Sequence, residues 1–221
     1  MKVFVVGPWM QNSVVSYFQQ WGWEIAPTLK DADLVNFNGG ADISPSLYGC
    51  KPHPSTRSYK ERDDYECLVY AKAKKLGKPM SGICRGGQLL NALAGGTMWQ
   101  HVNNHNGDHM VKDLMTGDQF RFNSIHHQMM IPSREAITLA EAYAATKKES
   151  TDNNGLSRSL YYAQKTHNTG DAEVVIYWNN EPHLCFQAHP EFDVTGDTGK
   201  QFMRYIDEYV FERKTDHKLR A

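Results

Sequence analysis

The sequence predicts an α/β protein with a mostly parallel central sheet and a small antiparallel addition. Short apolar runs alternate with stretches of helical periodicity through the first half of the chain. Such alternation is typical of parallel strands joined by helices, which then cover both faces of the sheet. Near the end, apolar runs at 174–178 and 183–187 flank an Asn-Asn-Glu-Pro turn sequence and predict an antiparallel strand pair.

The N-terminal half supplies most of the predicted elements. Each predicted strand is a short apolar run, and each predicted helix has apolar residues three or four positions apart. Turn residues follow two of them, Gly7-Pro8 after the first strand and Gly77 after the second helix. Residues 45–58 are rich in Pro, Ser and Tyr and predict a loop. The predicted strands are 3–6, 23–26, 34–37 and 79–83, and the predicted helices are 14–21, 61–76 and 86–94.

The C-terminal half has weaker local signals. Residues 101–128 are polar and are predicted to be irregular, whereas 137–145 are compatible with either a strand or a helix. Residues 202–211 predict a closing helix, and the charged tail after Arg213 is expected to fray. There is no internal repeat, so the simplest interpretation is a single domain over residues 1–221.

Charge and cysteine content narrow the function classes. A formal net charge of −1 over 221 residues indicates neither a nucleic-acid-binding surface nor a membrane surface. The first apolar run is too short to span a bilayer and lacks the flanks of a signal peptide, so we expect a cytoplasmic protein. The spacing of the four cysteines matches no metal-binding pattern, and all four are expected to be reduced thiols.

The segment 82–88, Gly-Ile-Cys-Arg-Gly-Gly-Gln, lies between a predicted strand and a predicted helix. It is the thiol counterpart of the Gly-x-Ser-x-Gly nucleophile elbow, a tight turn whose flanking positions must be small. Cys84 would stand at the tip of this turn and at the N-terminus of the helix, where the macrodipole favours a thiolate. The Arg85 amide would point into the same space. The alternative is a structural cysteine buried beside a glycine-rich helix start.

A thiol nucleophile needs a general base, and His189 is the candidate among ten histidines. It follows a predicted strand, so it is expected at the sheet edge where the sites of such folds form. Glu191 lies two residues further on, and in an extended segment the two side chains project to one side. The carboxylate would then hold the imidazole in one tautomer and stabilise the imidazolium. The alternative is a solvent-exposed His-Pro-Glu turn.

The elbow and the Gln-Ala-His-Pro-Glu segment together resemble the two signature motifs of class I glutamine amidotransferases. Within that superfamily the sequence is most similar to the γ-glutamyl hydrolase branch (peptidase C26), which includes γ-glutamyl-γ-aminobutyrate hydrolases. The resemblance extends over nearly the whole chain. Four further segments carry it: Asn-Gly-Gly-Ala-Asp-Ile at 38–43, Arg-Asp-x-x-Glu at 62–66, Asn-Ala-Leu-Ala-Gly-Gly-Thr at 91–97 and Asn-Ser-Ile-His-His-Gln at 123–128.

This resemblance implies a flavodoxin-like three-layer sandwich and a catalytic triad of Cys84, His189 and Glu191. It also implies an oxyanion hole formed by the backbone amides of Gly40 and Arg85. Glycine suits the first of these positions, because it lets the backbone approach a substrate closely. The residues expected to contact the γ-glutamyl substrate are Gln88, His126 and His127.

No cofactor and no metal ion are expected. His101, His105 and His109 recur at four-residue spacing, and on a helix they would share one face and suit a metal ion. The asparagines and the glycine between them argue against a helix, and a thiolate mechanism needs no metal. We therefore predict no metal ligands in this chain.

Residues and resemblance together predict a cysteine hydrolase that cleaves γ-glutamyl amides through a thioester on Cys84. The acyl side is glutamate-like, and the leaving amine is left open. One alternative is a glutaminase subunit that supplies ammonia to a separate synthase partner; the 221 residues hold no synthase domain, which favours the free hydrolase. A second alternative is a catalytically idle binding module on the same fold, which the intact Cys, His and Glu disfavour.

Overall fold

The computed structural model describes residues 1–142, 146–151, 157–162 and 171–212. Its helices are α1 (Gln11–Gln20), α2 (Lys60–Lys75), α3 (Arg85–Leu93) and α4 (Asp197–Tyr205), the last continued by a π-helical segment over Ile206–Phe211. Its strands are β1 (Lys2–Val6), β2 (Glu24–Ile25), β3 (Leu34–Phe37), β4 (Met80–Ile83), β5 (Thr97–Trp99), β6 (His101–Val102), β7 (His109–Asp113), β8 (Gln119–Phe122), β9 (Met129–Ile131), β10 (Ala136–Ala142), β11 (Thr146–Thr151), β12 (Ser157–Tyr162), β13 (Asp171–Asn179) and β14 (Glu181–Phe186). Short 3-10 turns cover Pro45–Tyr48 and Pro190–Phe192.

Nine of these strands form one mixed sheet in the order β2-β1-β3-β4-β14-β13-β10-β7-β8. The five strands from β2 to β14 are parallel, and the other four pair antiparallel. Strands β12, β11 and β6 form a separate small sheet, and β5 pairs with β9. The predicted α/β fold with its antiparallel addition is confirmed, and that addition extends beyond the β13–β14 pair.

Helices lie on both faces of the large sheet, which gives the expected three layers. Along β1, Val3 and Val5 pack into an apolar cluster with α1 and α4, whereas Phe4 and Val6 pack into a second cluster with α2 and α3. Burial on both faces explains why the parallel strands are nearly continuous apolar runs. Among the helices of the described residues, none has both the length and the apolar character needed to cross a membrane.

The segment 101–128 is where the secondary-structure prediction was wrong. It contains β6, β7 and β8, although its polar sequence predicted irregular structure. These strands are stabilised by distant partners, since β7 pairs with β10 and β6 pairs with β11, and such pairing leaves no local pattern. The ambiguous run at 137–145 is a strand as far as Ala142. Residues 143–145 and the tail predicted to fray lie outside the described residues.

The parallel strands bring three functional segments to one edge of the sheet. β3 leads into residues 38–40, β4 leads into Cys84, and β14 leads into the segment that carries His189. The ladder pairs Ile83 with Phe186, so the ends of β4 and β14 are level. The carboxyl edge of the sheet is therefore where the predicted site residues meet.

His183 lies at the other end of β14 and is fully buried. Its ring packs edge-on against Tyr70, with 5.4 Å between the ring centroids, and neither ring nitrogen has a hydrogen-bond partner among the described residues. Burial, with a smaller contribution from Lys74, lowers the pKa of His183 to about 4. The imidazole of the unfolded chain therefore binds a proton more readily than the imidazole of the folded protein. Above about pH 6.5 the ring is neutral in both states and costs no stability. As the pH falls from 6.5 toward 4, the unfolded state takes up the proton and the free energy of unfolding decreases.

We expect His183→Leu to make the protein less sensitive to acid, because leucine cannot take up a proton on unfolding. The pKa difference between 6.5 and about 4 corresponds to about 3 kcal/mol of unfolding free energy. Urea unfolding near neutral pH and near pH 4 measures the loss in each protein. The wild-type loss should exceed the variant's by about that amount, and parallel pH profiles for the two proteins would contradict the role assigned to His183.

Candidate active site

Cys84 occupies a strained turn between β4 and α3, with φ 50° and ψ −112°. A residue with a side chain in such a backbone conformation costs about 1–3 kcal/mol and must be held by its surroundings. A Cβ on Gly82 would lie 2.3 Å from the carbonyl carbon of Gly86, and a Cβ on Gly86 would lie 2.0 Å from the carbonyl oxygen of Phe37. Both collisions are with backbone, so only glycine fits on either side of this turn. The structure thus has the tight elbow that the flanking glycines predict.

His189 is buried next to this turn, between Glu191 and Cys84. Its Nδ1 lies 2.8 Å from Glu191 Oε1, and the Cys84 side chain is close enough to the ring to contribute to the raised pKa of His189. Since Nδ1 faces the carboxylate, Nε2 is the nitrogen left for the thiol. Asn123 holds the His189 backbone, donating to its carbonyl at 2.7 Å and accepting from its N–H at 2.8 Å. The three residues predicted as a triad therefore form one chain of side-chain contacts.

The electrostatics of this chain favour a charged imidazole. Burial alone would lower the pKa of His189, because desolvation penalises the imidazolium. The charges and hydrogen bonds of Cys84 and Glu191 outweigh burial and raise the pKa of His189 to about 10. The site is therefore suited to an imidazolium beside the Cys84 side chain, and a neighbouring imidazolium is what activates a cysteine for attack on an acyl carbon.

The loop after β3 is held by Arg62 of α2. Its guanidinium Nη2 donates to the carbonyl oxygens of Asn38, at 3.1 Å, and Gly39, at 2.9 Å. In a trans peptide the N–H points opposite to the carbonyl, so the bond to Gly39 directs the Gly40 N–H away from Arg62. Gly40 has φ 142°, and a Cβ at this position would lie 2.2 Å from Arg62 Nη1. Arg62 was not among the predicted site residues, although it begins the 62–66 motif.

Gly39 places the same loop directly against Cys84 and His189. A Cβ on Gly39 would lie 2.9 Å from His189 Cε1 and 3.6 Å from Cys84 Cβ. The missing side chain lets the loop backbone approach both residues closely. Both amides predicted to form an oxyanion hole belong to residues that adjoin this contact. Arg85 follows Cys84 in the chain, and Gly40 follows Gly39, which lies against Cys84.

The Arg85 side chain engages α2. Its buried guanidinium forms ion pairs with Asp63 and Glu66, and Glu66 also pairs with Arg62 Nε at 2.7 Å. This network joins the start of α3 to the loop after β3. Removing one member would leave a buried charge without compensation, which costs about 3–5 kcal/mol. Any role of Arg85 at the sulfur is therefore a role of its backbone.

Gln88 belongs to a buried glutamine pair beside the sulfur. Its Nε2 donates to the Gln128 carbonyl at 3.2 Å and to Gln187 Oε1 at 3.3 Å. Gln187 in turn directs its own Nε2 at Cys84 Sγ, 3.8 Å away. Gln187 and Asn123 were missed as site residues. Gln187 begins the motif at 187–191 and Asn123 begins the motif at 123–128. Their places in these motifs could have identified them as site residues.

His126 and His127, predicted as neighbours on one wall of the substrate pocket, point to different places. His127 stays on the surface, with its Nε2 3.1 Å from Asp42 Oδ1, and this contact raises the pKa of His127. The His126 ring is buried against His105 and Glu173, and burial lowers the pKa of His126 to about 3. The structure thus places the His126 ring in the interior and the His127 ring at the surface, and the substrate contacts of both residues stay predictions.

Comparison with known proteins agrees with this fold. Residues 13–151 match the family model of Peptidase C26. A glutamine amidotransferase-like protein of Lactococcus lactis subsp. cremoris, the YvdE homologue, is 30% identical over 152 residues, which are 54% of this chain and 81% of that protein. The carbamoyl phosphate synthase small chain of Polynucleobacter necessarius subsp. necessarius is 29% identical over 131 residues, 58% of this chain and 27% of that one.

A solved structure extends the comparison to the C-terminal half. The crystal structure of a glutamine amidotransferase from Thermotoga maritima superimposes with a TM-score of 0.56 at 16% identity, covering 99% of this chain and 87% of that one. The fold is thus that of the class I glutamine amidotransferases, and the flavodoxin-like prediction is confirmed. The chain belongs to the Peptidase C26 family. The matched segment includes Cys84 and ends before His189 and Glu191, so the roles of those two residues are argued from geometry.

Proposed function

We propose that the protein hydrolyses γ-glutamyl amide bonds, with Cys84 as the nucleophile, His189 as general base and acid, and Glu191 as the residue that orients the imidazole. One observation carries the proposal. Cys84 stands at a strained elbow next to a buried histidine whose Nδ1 lies 2.8 Å from a carboxylate. This is the geometry by which a thiol is activated as a nucleophile. We place the reaction in the cytoplasm, where reducing conditions keep such a thiol free.

The reaction would proceed in two halves. The Cys84 thiolate attacks the γ-carbonyl carbon, and the carbonyl π electrons move to oxygen to form a tetrahedral oxyanion. His189 gives its Nε2 proton to the departing amine as the C–N bond breaks, leaving a γ-glutamyl thioester. His189 then takes a proton from water, whose oxygen attacks the thioester, and the C–S bond breaks to release glutamate and restore the thiolate.

The oxyanion would be held by the amides of Gly40 and Arg85. The bond from Arg62 to Gly39 directs the Gly40 N–H away from α2, and the strained turn at Cys84 carries the Arg85 N–H. Preorganised donors of this kind are worth about 10²- to 10³-fold in rate for each one removed. Gln88 and Gln187 supply amide groups for the glutamate end of the substrate, because both are buried beside the sulfur.

The amine side of the site would be formed by residues 45–59 and His127. The loop is held near both ends: the Arg57 N–H donates to Asp42 at 2.8 Å, and the N–H of Ser44, just before the loop, donates to Asp63 at 2.9 Å. Asp42 is also the residue that holds His127, so loop and histidine meet at one carboxylate. A half-exposed surface of this kind leaves room for an amine larger than ammonia.

Two other functions are compatible with the fold. The similarity to a carbamoyl phosphate synthase small chain supports a glutaminase subunit that gives ammonia to a synthase partner. A catalytically idle binding module is the third, and the close grouping of Cys84, His189 and Glu191 argues against it. We favour the free hydrolase of small γ-glutamyl substrates, because in this proposal a surface loop would form the amine side.

We expect γ-glutamyl amines or γ-glutamyl peptides to be hydrolysed faster than glutamine. Each buried methylene of the amine is worth about 0.8 kcal/mol, so two or three would raise kcat/KM by roughly ten- to fiftyfold if the contacts persist in the transition state. A panel of glutamine, γ-glutamyl-γ-aminobutyrate, γ-glutamyl-putrescine and a γ-glutamyl dipeptide tests this. His127→Ala serves as the matched variant. It should lower kcat/KM for the larger γ-glutamyl substrates more than it lowers kcat/KM for glutamine.

The panel also separates the three functions. If glutamine is the preferred substrate and this preference increases when cell extract is added, the protein is a glutaminase subunit with a synthase partner. If none of the four substrates is hydrolysed although Cys84 still reacts with a small alkylating reagent, the protein is a catalytically idle binding module.

A further inference from the structure

A second group of titratable side chains lies beneath the site, where β7, β13 and the segment before β9 meet. It consists of His105, His109, His126 and Glu173, and we call it the histidine–glutamate cluster. His105, His126 and Glu173 are buried, and His109 is partly exposed at the edge. The mechanism proposed above uses none of these four side chains, so their burial together calls for a separate explanation.

Glu173 is the centre of the cluster. Its Oε1 lies 3.0 Å from His109 Nε2, 3.5 Å from His105 Nδ1 and 3.9 Å from His126 Nε2. The candidate ligand atoms of His105, His109 and Glu173 all lie within 4.8 Å of one another. Three imidazole nitrogens therefore converge on one carboxylate from three different segments of the chain.

The outer nitrogens of two histidines establish which atoms point inward. His105 Nε2 lies 2.7 Å from Asp171 Oδ2, and His126 Nδ1 lies 2.8 Å from the Gln128 carbonyl oxygen. Both neighbours accept hydrogen bonds only, so these outer nitrogens carry the proton in the neutral ring. The inner nitrogens, Nδ1 of His105 and Nε2 of His126, are then lone pairs directed at the cluster.

His109 repeats this arrangement at the exposed edge. Its Nδ1 lies 3.4 Å from the Gly107 carbonyl oxygen, and its Nε2 faces Glu173. Metal-binding histidines nearly always donate their other N–H to a carboxylate or a backbone carbonyl, which fixes the ring and its tautomer. All three histidines of the cluster have such an outer acceptor.

His109 Nε2 and Glu173 Oε1 are hydrogen-bonded to each other, whereas three other inner atoms of the cluster lack a partner. His105 Nδ1, His126 Nε2 and Glu173 Oε2 are buried without a hydrogen-bond partner among the described residues. Lone pairs that face a carboxylate in the interior are unfavourable, because each buried acceptor without a donor costs about 1–3 kcal/mol. A cation between them would satisfy all of these atoms at once.

We propose that the histidine–glutamate cluster binds a divalent transition-metal ion through His105 Nδ1, His109 Nε2, His126 Nε2 and the Glu173 carboxylate. Three imidazoles and one carboxylate suit tetrahedral Zn²⁺, with ligands at about 2.0–2.2 Å from the metal. Such a tetrahedron has its ligand atoms about 3.3–3.5 Å apart. The separations of 3.0 and 3.5 Å that join Glu173 Oε1 to His109 and His105 are close to this spacing. His126 Nε2, 3.9 Å from the same oxygen, lies outside the group of ligand atoms that are all within 4.8 Å of one another, so its ring would move inward to complete the tetrahedron.

The ion would fasten the antiparallel part of the sheet to the candidate active site. Glu173 belongs to β13, and its backbone carbonyl accepts from the Gln187 N–H at 2.8 Å. His126 lies three residues after Asn123, which holds the His189 backbone. The role is one of positioning, since the four ligands contact neither Cys84 nor His189 in the hydrogen bonds described above.

The test measures metal binding by the untagged full-length protein, freed of metal with a chelator and titrated with Zn²⁺ or Co²⁺. We expect one ion per chain by elemental analysis, an intense visible Co²⁺ spectrum typical of tetrahedral coordination, and a rise in Tm with metal. Asp171→Asn removes an outer carboxylate and should weaken binding about 10- to 100-fold. His109→Ala removes a ligand at the exposed edge and should weaken it at least as much.

His53→Ala is the matched control, because His53 is a partly buried histidine outside the cluster whose Nδ1 contacts Ser55. It should bind metal like the wild-type protein. Equal binding by His109→Ala, His53→Ala and the wild type would overturn the proposal. So would the absence of a tetrahedral Co²⁺ spectrum in the wild-type protein, a result that does not depend on whether any variant folds or any substrate is hydrolysed.

Discussion

Replacement of Cys84 by alanine should remove all detectable hydrolysis of γ-glutamyl substrates while the protein stays folded. The thioester cannot form without the sulfur, and no other described side chain stands at the elbow. The change removes one atom from a turn that Gly82 and Gly86 hold by backbone contacts, so the backbone has no reason to rearrange. We expect a change in unfolding free energy of about 1 kcal/mol or less, in the range of ordinary substitutions. Turnover assays and urea unfolding of the same preparation measure both quantities.

Selective labelling is the complementary test of the nucleophile. An electrophilic glutamine analogue such as a diazoketone should modify Cys84 and spare the other cysteines. Burial raises the pKa of Cys185, and burial together with neighbouring carboxylates raises the pKa of Cys67, so neither thiol ionises readily. Mass spectrometry of the labelled protein locates the modification. Labelling at Cys67 or Cys185 with Cys84 untouched would show that the nucleophile has been misassigned.

Removal of the imidazole should be nearly as severe as removal of the sulfur. His189→Ala deletes the group that accepts and returns protons in both halves of the reaction, and general acid–base catalysis is worth about 10²- to 10⁴-fold. The variant also removes the imidazolium beside the Cys84 thiol, which the raised pKa of His189 favours. We therefore expect a loss of activity near the upper end of that range. Base and nucleophile act as a unit, and steady-state kinetics of His189→Ala should therefore show a loss in kcat that approaches the loss in Cys84→Ala.

Glu191→Gln should cost less than His189→Ala, near the lower end of the same range, about a hundredfold. Glutamine keeps an oxygen that can accept from His189 Nδ1 but loses the charge that stabilises the imidazolium. Steady-state kinetics of the two single variants decide the order. Equal losses would give the carboxylate a more direct role in proton transfer. If His127→Ala were the lethal change and His189→Ala a mild one, the wrong histidine would have been chosen.

The order of strands and helices in the parallel half was readable from the sequence because its signals are local. Each parallel strand is buried on both faces and is therefore a continuous apolar run, and each helix repeats its apolar residues within one or two turns. The elbow was readable for the same reason, since the glycines that permit φ 50° at Cys84 are two positions away on either side. His189 and Glu191 could be proposed as a pair because they share one short segment at a strand end.

The tertiary structure alone decided how distant segments meet. Strand β6 pairs with β11, and β7 pairs with β10. Arg62 of α2 binds the loop at 38–40. The His126 ring points to the interior, whereas the His127 ring points to the surface. His105 and His109 share no helix, yet strand pairing brings both to Glu173, more than sixty positions away in the chain. Local sequence determines which conformations a segment can adopt, whereas the burial of a polar atom and its choice of partner depend on contacts between residues far apart in the chain.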